Sequence, residues 1–506
     1  MGINKADIHE KTSLVGYIFL SVGMVYSKAF MSIGVIILAL NTILEGNFSL
    51  KYKLLKDEKS IQWLLLFFLL FILSFTWSTD INYALKDLKI KLPLLLLPII
   101  AVCSPMNQKS TKISLGLLLA SLLSSSIINF GAHQGWWMNK TYYDIRQLSL
   151  FGSHIRYGIL IGLGLLLSFY FMKEKKYYLL FIPLIIWFIF YTYYSQVLSG
   201  IISVIIVLTF TFLHQLKLNH PKFYKVSIAS ISILLISISL YLFSFLRTQP
   251  KAITKSPKYT SEGNLYYNEV VSQSDQKKST YSAICDIELK RDWEKVSEIP
   301  YNGKDKKGQF LRYTLIRFLE SKNLTLDALG LKKLSKKEII SIENGIANVH
   351  ELNPGLISRL YRIKYQLSHS FDPNGGSILQ RIEYWKNGFA LFKANLLFGV
   401  GAGDNQIAFD NQYEISQSVL LKENRLRAHN QFLTIGISLG IIGLIPFILF
   451  FRSLIKTSRR KAPVFISVAL TVIIITALFE DTFETQLGVM IGSFFVALTY
   501  QLKKQE

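Results

Sequence analysis

Long apolar blocks recur along this sequence and are separated by short polar segments. A helix that crosses a lipid bilayer needs about 20 mostly apolar residues. By that measure the pattern predicts about twelve membrane spans, over residues 13–30, 31–45, 61–78, 90–105, 113–131, 155–172, 177–195, 197–216, 226–246, 430–451, 462–480 and 485–502. The predicted fold class is therefore an all-α polytopic membrane protein.

Composition and charge support a membrane protein. The 506 residues are 51% hydrophobic, which is too apolar for an ordinary soluble chain of this length. The net charge of +23 would suit a nucleic-acid binder, but lysine and arginine form short clusters between apolar blocks, so no nucleic-acid partner is expected. The two cysteines, Cys103 and Cys285, are too few for a disulfide scaffold or a cysteine-rich metal site.

The distribution of basic residues predicts the topology. Connections that follow even-numbered spans are rich in lysine and arginine, as in 51–59 and 452–461, whereas those after odd-numbered spans, such as 194–196 and 480–484, are not. Basic connections stay in the cytoplasm. We therefore expect a multi-pass protein of the inner (cytoplasmic) membrane with both termini in the cytoplasm.

The long polar segment after the ninth span is then extracytoplasmic, that is, periplasmic. Apolar residues at helical spacing in 310–319 and 378–396 predict a mainly helical subdomain there. Residues 250–280, rich in Ser, Lys, Tyr and Asn, are expected to be a flexible lead-in. The predicted division is spans one to nine in 1–246, the periplasmic loop in 247–428, and spans ten to twelve with the C-terminus in 429–506.

Ionisable residues gather at the predicted outer ends of the spans, where such groups tend to be functional. The candidates are Arg146, His154, Arg156, Arg381, Arg425, Arg427, His429, Glu480, Asp481 and Glu484. Guanidinium groups grip phosphate oxygens with paired donors, and histidine accepts a proton near neutral pH. Together they predict transfer from a lipid diphosphate, with arginine holding the leaving group and histidine activating an acceptor hydroxyl.

Simpler interpretations stand beside this one. An arginine at a span end often only reaches the lipid headgroups, and His429 at a helix start could make a structural hydrogen bond. The acidic residues Glu480, Asp481 and Glu484 could hold a metal, orient a catalytic arginine or histidine, or face water. The glycine-rich run 399–403 lacks the βαβ context of a dinucleotide site, so we expect a tight turn there.

Two sets of motifs carry a family resemblance. The first set is His429-Asn430-Gln431-Phe432-Leu433, followed by Gly440-Ile441-Ile442-Gly443. The second lies upstream and is Arg381-Ile382-Glu383-Tyr384-Trp385, followed by Leu397, Phe398 and the glycine-rich run 399–403. This order of elements, with many spans and an outward loop, resembles the O-antigen ligase family. The enlarged loop is similar to versions common in Bacteroidetes.

The resemblance implies a GT-C-like helical fold and transfer of a glycan from a polyprenyl diphosphate carrier, without a metal, nucleotide sugar or other cofactor. It implies that Arg381 contacts the diphosphate and that His429 acts at the acceptor. Besides these two catalytic candidates, the predicted substrate-binding residues are Arg146, His154, Arg156, Tyr384, Arg427, Asn430, Glu480 and Glu484. Family members often carry an arginine at the outer start of span eight, where this sequence has Leu198. Either Arg156 or Arg427 replaces it, or the donor site differs.

Several functions fit these expectations. A ligase would move the glycan from its polyprenyl diphosphate donor to lipid A-core or a similar acceptor, whereas a polymerase would join lipid-linked repeat units. The expected partners are that donor, a glycan or lipid acceptor, and membrane lipids. A transporter is disfavoured because charges lie at the span ends and no pair of interrupted helices is apparent. A scaffold role is the remaining alternative.

Overall fold

The computed structural model describes residues 5–138, 148–173, 178–247, 258–271, 279–352, 360, 364 and 377–502. The chain packs into two compact units. The bundle unit comprises Met1–Lys225, Tyr384–Ser418 and Arg425–Glu506, and the loop unit comprises Val226–Glu383 and Val419–Asn424. These units are defined by how the chain packs. The predicted division into membrane spans and a periplasmic loop concerns the side of the membrane, and it stays a prediction.

Most of the chain is α-helical. The helices before the loop are α1 (Lys5–Tyr26), α2 (Lys28–Leu44), α3 (Phe48–Asp57), α4 (Lys59–Leu73), α5 (Ile81–Cys103), α6 (Gln108–His133), α7 (His154–Met172), α8 (Tyr178–Ser195), α9 (Leu198–Asn219) and α10 (Pro221–Arg247). Between α10 and the last three helices lie β1 (Tyr267–Val271), β2 (Ser279–Ile284), α11 (Asp286–Trp293), α12 (Leu311–Ser321), α13 (Ala328–Lys332), α14 (Lys336–Glu343), α15 (Ser377–Ala394) and α16 (Asn405–Ile415). The chain ends with α17 (Gln431–Lys461), α18 (Val464–Ala477) and α19 (Gln486–Gln501).

Every predicted span overlaps a helix, but not every such helix passes as a membrane span. In the described part of the chain, 7 helices are long and apolar enough to cross a membrane, or up to 8 if the bent pair α2 and α3 counts as one span. The helices α18 and α19 are apolar but shorter. These helices indicate a multi-pass, all-helical membrane protein. The count of twelve spans stays a prediction.

The bundle unit is held together by apolar packing and by close contact between small residues. α1 packs on α2 and α6, α4 on α17, α5 on α19, and α7 on both α8 and α9. A Cβ on Gly158 of α7 would lie 3.0 Å from the backbone nitrogen of Gly200 of α9. Only glycines allow two helices to approach this closely, a common arrangement between membrane helices.

The loop unit has its own core, centred on the fully buried Trp293. Its indole Nε1 donates to the carbonyl of Ile299 at 2.9 Å, and Leu315 and Phe318 of α12 pack around it. β1 and β2 form an antiparallel pair. The expectation of a flexible lead-in over 250–280 is therefore wrong for the described residues of that stretch, because short Tyr-, Val- and Thr-containing runs pair as strands.

The helix α17 is interrupted at Gly440, whose φ of 63° and ψ of −165° are non-helical. The glycine-rich run lies across this break. The amides of Val400 and Gly401 donate to the carbonyls of Ile437 and Ser438 at 2.8 and 2.9 Å. In the opposite direction, the amides of residues 441 and 442 donate to the carbonyls of residues 396 and 397 at 2.8 and 3.3 Å.

These four bonds satisfy backbone groups that the break would otherwise leave unpaired, which is very costly inside a membrane. The predicted turn at 399–403 is present, and its chief contact is with α17. Asp404, directly after the run, accepts hydrogen bonds from the amides of Thr79 and Asp80, and so ties the run to the start of α5 as well.

Candidate functional site

Apart from Tyr384, which is buried on α15, the described site residues predicted for the bundle unit lie on three neighbouring segments. These are the start of α7, the stretch from Arg427 into the start of α17, and the linker 478–485 between α18 and α19 (called the acidic linker below). Arg381 belongs to the loop unit, where it is half-buried on the first half of α15. Arg146 falls outside the described residues.

His429 is held by the start of α17. Its backbone is left-handed, with φ of 47°, and Asn430 caps the helix by accepting from the amide of Leu433 at 3.0 Å. The side-chain Nδ2 of Asn430 also donates to the carbonyl of Leu478 at 2.9 Å, which joins the helix start to the acidic linker. The sequence therefore fixes the imidazole at a rigid corner between two elements.

The imidazole of His429 has a carboxylate and an aromatic ring beside it. Its Nδ1 lies 3.7 Å from Oε2 of Glu480, which is close enough for electrostatic attraction but too long for a hydrogen bond. The ring of Tyr384 lies 5.5 Å from the imidazole, centroid to centroid. A histidine with a carboxylate near Nδ1 and its side chain partly open to solvent can accept a proton through Nε2.

Glu484 is the centre of a buried ionic cluster. Its Oε1 lies 2.9 Å from Lys91 Nζ and accepts from Gln431 Nε2 at 2.9 Å, while its Oε2 lies 3.1 Å from Arg427 Nη1. Gln431 in turn accepts from the amide of Phe483 at 2.7 Å. Both oxygens of this carboxylate are therefore occupied by donors, one from α5, one from the first residue of α17 and one from the residues just before α17.

Arg427 and Lys91 complete the cluster. Arg427 Nη1 also donates to the hydroxyl of Tyr83 on α5 at 2.9 Å. Lys91 pairs with Asp87 one turn earlier on the same helix. Two cations and two carboxylates thus balance one another within the buried cluster.

The environment sets the protonation of the acidic linker. Burial by itself raises the pKa of Glu484, but the charges of Lys91 and Arg427 outweigh it and bring the pKa down to about 2. For Asp481 burial and the nearby negative charge of Glu484 raise the pKa above its ordinary value. Asp481 accepts a hydrogen bond from Thr434 Oγ1 at 2.9 Å. The pKa of the Glu484 carboxyl is therefore lowered by its cationic partners, whereas that of the Asp481 carboxyl is raised by burial and by the charge of Glu484.

Arg156 lies beside the same linker but is not paired in the same way. Its Nη2 donates to the carbonyl oxygen of Asp481 and its Nη1 to Ser153 Oγ, both at 3.2 Å. Its Nε is buried and has no hydrogen-bond partner among the described residues. Neighbouring His154 is the first residue of α7. Arg156 thus keeps a buried donor available, whereas Arg427 is bound to a carboxylate.

Sequence reasoning missed Lys91, Asp87, Tyr83 and Gln431. The signal for the first two was an opposite-charge pair four residues apart at the edge of an apolar block, which the predicted span 90–105 cut through. Gln431 stood inside the family motif without a role of its own. Within the described ranges, no three His, Cys, Asp or Glu side chains lie together as a metal site would need.

Comparison with known proteins identifies part of the chain. Residues 339–448 match the family model described as O-antigen ligase. The matched region includes Arg381, Tyr384, the glycine-rich run, His429 and the break at Gly440. No curated protein matches the sequence.

That family carries out ligase- or polymerase-type glycosyl transfer in lipopolysaccharide synthesis. The motifs that predicted the resemblance lie inside the matched segment. The match over residues 339–448 therefore supports the resemblance to the O-antigen ligase family that these motifs predicted.

Proposed function

We propose that this protein transfers a glycan from a polyprenyl diphosphate carrier to an acceptor hydroxyl at the periplasmic face of the inner membrane. The observation that carries the proposal is His429, fixed at the start of α17 with the carboxylate of Glu480 facing its Nδ1. A base in this setting suits attack by a neutral hydroxyl.

The reaction forms a bond between the acceptor oxygen and the anomeric carbon of the glycan, and breaks the bond from that carbon to the diphosphate oxygen. The hydroxyl proton passes to His429, and polyprenyl diphosphate leaves with the bonding electrons. Arg381 of the family motif and a second arginine stabilise the negative charge that develops on the leaving group. The carboxylate of Glu480 lies 3.7 Å from Nδ1 of the imidazole that takes up this proton.

Arg156 is the better candidate for that second arginine. Its hydrogen bonds go to two neutral oxygens and its Nε is unpartnered among the described residues, so this donor is available to a phosphate oxygen. Arg427 is bound to the carboxylate of Glu484 and to Tyr83. Arg427 then serves to hold the acidic linker, and Arg156 takes the role of the arginine that the family resemblance implies at the position of Leu198.

The test is an assay of the purified protein with a polyprenyl-diphosphate-linked glycan and a hydroxyl acceptor, following release of polyprenyl diphosphate. His429→Ala and Arg381→Ala should each lower transfer by on the order of 100-fold or more, the usual contribution of general base and charge stabilisation. Arg425→Ala is the matched control, because Arg425 pairs with the exposed Glu414. Wild-type transfer in either variant would overturn the assignment.

The two arginines are separated by a second comparison. Arg156→Ala should lower transfer with little change in melting temperature, whereas Arg427→Ala should lower the melting temperature because it leaves Glu484 with fewer partners. The reverse pattern would make Arg427 the donor-binding residue.

We propose that the reaction is ligation to a separate acceptor rather than polymerisation of repeat units, because the matched family is described as O-antigen ligase. In cells lacking the gene, lipid-linked polymer should accumulate. Single-repeat glycan at the cell surface would instead identify a polymerase. A transporter or scaffold would release no polyprenyl diphosphate in the assay.

A further inference from the structure

A lysine is buried in the bundle unit outside the region that matches the family. Lys91 lies in α5, and only 4% of its side chain is exposed. A lysine is almost never buried to this extent unless it is paired. Its Nζ contacts Asp87 and Glu484, and it lies 5.6 Å from the centroid of the Phe71 ring.

The contacts of Lys91 lead directly into the acidic linker. Lys91 shares Oε1 of Glu484 with Nε2 of Gln431, and the side-chain Oε1 of Gln431 accepts a hydrogen bond from the backbone amide of Phe483. The linker is thus fixed at two successive residues, 483 and 484, one through a side chain and one through the backbone. Four residues before Glu484 in the same linker is Glu480, the carboxylate next to His429.

The charges around Lys91 explain why it cannot be replaced freely. Asp87 and Glu484 carry two negative charges, and Lys91 and Arg427 carry two positive ones. Removal of Lys91 leaves three charges with a net charge of −1 in a buried place, where an unpaired ion is strongly disfavoured. Glu484 would then have to move toward Arg427 or toward water, and the linker would move with it.

We propose that Lys91 is a positioning residue: by holding Glu484 it fixes the acidic linker so that the carboxylate of Glu480 faces His429. This inference rests on the proposed function for its effect on catalysis, but its effect on the linker is independent of that function. Lys91 does not contact His429, so it acts through the linker.

The experiment compares Lys91→Met with the double variant Lys91→Met/Asp87→Asn. Lys91→Met should lower kcat by on the order of 10- to 100-fold, the cost of displacing a catalytic group by about 1 Å. The KM for the polyprenyl-diphosphate donor should stay within about twofold, since no donor contact is lost. Lys89→Met is the matched control, because Lys89 lies on the same helix with an exposed side chain, and it should behave as wild type.

The double variant separates positioning from mere charge balance. It removes one positive and one negative charge, so the buried pair of Glu484 and Arg427 stays balanced and the melting temperature should return toward wild type. If Lys91 positions Glu484, kcat stays low in this variant. If kcat recovers together with the melting temperature, Lys91 only balances charge and the proposal is overturned, as it is if Lys91→Met has wild-type kcat.

Amide hydrogen exchange supplies a readout that does not need the reaction. A peptide covering 478–487 should exchange faster in both Lys91 variants than in wild type, with unchanged exchange over 395–403 as the internal control. Unchanged exchange over 478–487 would overturn the inference even if the protein is an active transferase. Faster exchange in a protein that transfers no glycan would refute the proposed function and leave the role of Lys91 in the linker intact.

Discussion

Replacement of Gly440 by alanine tests whether the break in α17 is an obligatory part of the fold. A Cβ at this position would lie 2.0 Å from the carbonyl oxygen of Leu397 and 2.2 Å from its carbon. Both neighbours are backbone atoms, so neither can swing aside. The φ of 63° with ψ of −165° is also a conformation that is essentially confined to glycine.

The size of the effect follows from two contributions. Forcing alanine into this backbone conformation costs on the order of 1–3 kcal/mol. Relief of the clash requires the run 396–401 to withdraw, which weakens four backbone hydrogen bonds worth about 1 kcal/mol each. Partial loss of these bonds together with the strain gives a destabilisation of about 3–5 kcal/mol, near the upper end for a single substitution.

The assay is thermal unfolding of the purified protein in detergent. Gly440→Ala should lower the melting temperature by on the order of 6–20 °C, taking about 2–4 °C per kcal/mol. The control is Gly116→Ala in α6, where a Cβ would meet nothing within 4 Å and alanine should be neutral or slightly stabilising. A Gly440→Ala protein that melts with the wild type would refute the reasoning that the break is fixed by its contacts.

Three further predictions concern other parts of the molecule. Asp404→Ala removes the acceptor for the amides of Thr79 and Asp80, so the melting temperature should fall, and less so for Asp404→Asn, which keeps an acceptor. Glu484 has a pKa lowered to about 2 from 4.5, so the stability that its ion pairs contribute is present above about pH 4.5 and is lost as the pH falls toward 2. The melting-temperature difference between wild type and Glu484→Gln should therefore shrink over that range. A constant difference would contradict the lowered pKa of Glu484. Trp293→Ala should destabilise the loop unit by about 3–5 kcal/mol through cavity formation, seen as faster proteolysis within 286–352, and unchanged proteolysis would show that Trp293 is not central to that core.

The positions of the helices could be predicted because a long apolar segment in a bilayer has few structural choices. Without water to pair the backbone, such a segment must be helical, and each predicted span does overlap a helix. The boundaries of the helices were harder to predict from the sequence. The start of α5 at Ile81 lies nine residues before the predicted span, since its first turns are amphipathic and charged.

The contacts of the site could not be predicted to the same degree. Glu480 and Glu484 were candidates from their position alone, but the partner of Glu484 in α5 is almost four hundred residues away in sequence. Nothing in the local pattern around Lys91 specifies that pairing. The turn at 399–403 was predictable from its glycines. Its hydrogen bonds to α17 depend on the break in that helix, and the only sign of the break in the sequence is one glycine, Gly440, inside an apolar block.

The interruption of α17 has a consequence for how the protein is made. Residues 396–403 leave the ribosome before α17 does, and they belong to the large segment that the sequence predicts to be exported. In the folded protein the carbonyls of residues 437 and 438 are paired by amides of this earlier segment. If the loop is exported as the sequence predicts, we expect the folding of the last helices to await that export, and chimeras that exchange loops between relatives should mature only if they retain residues 395–404.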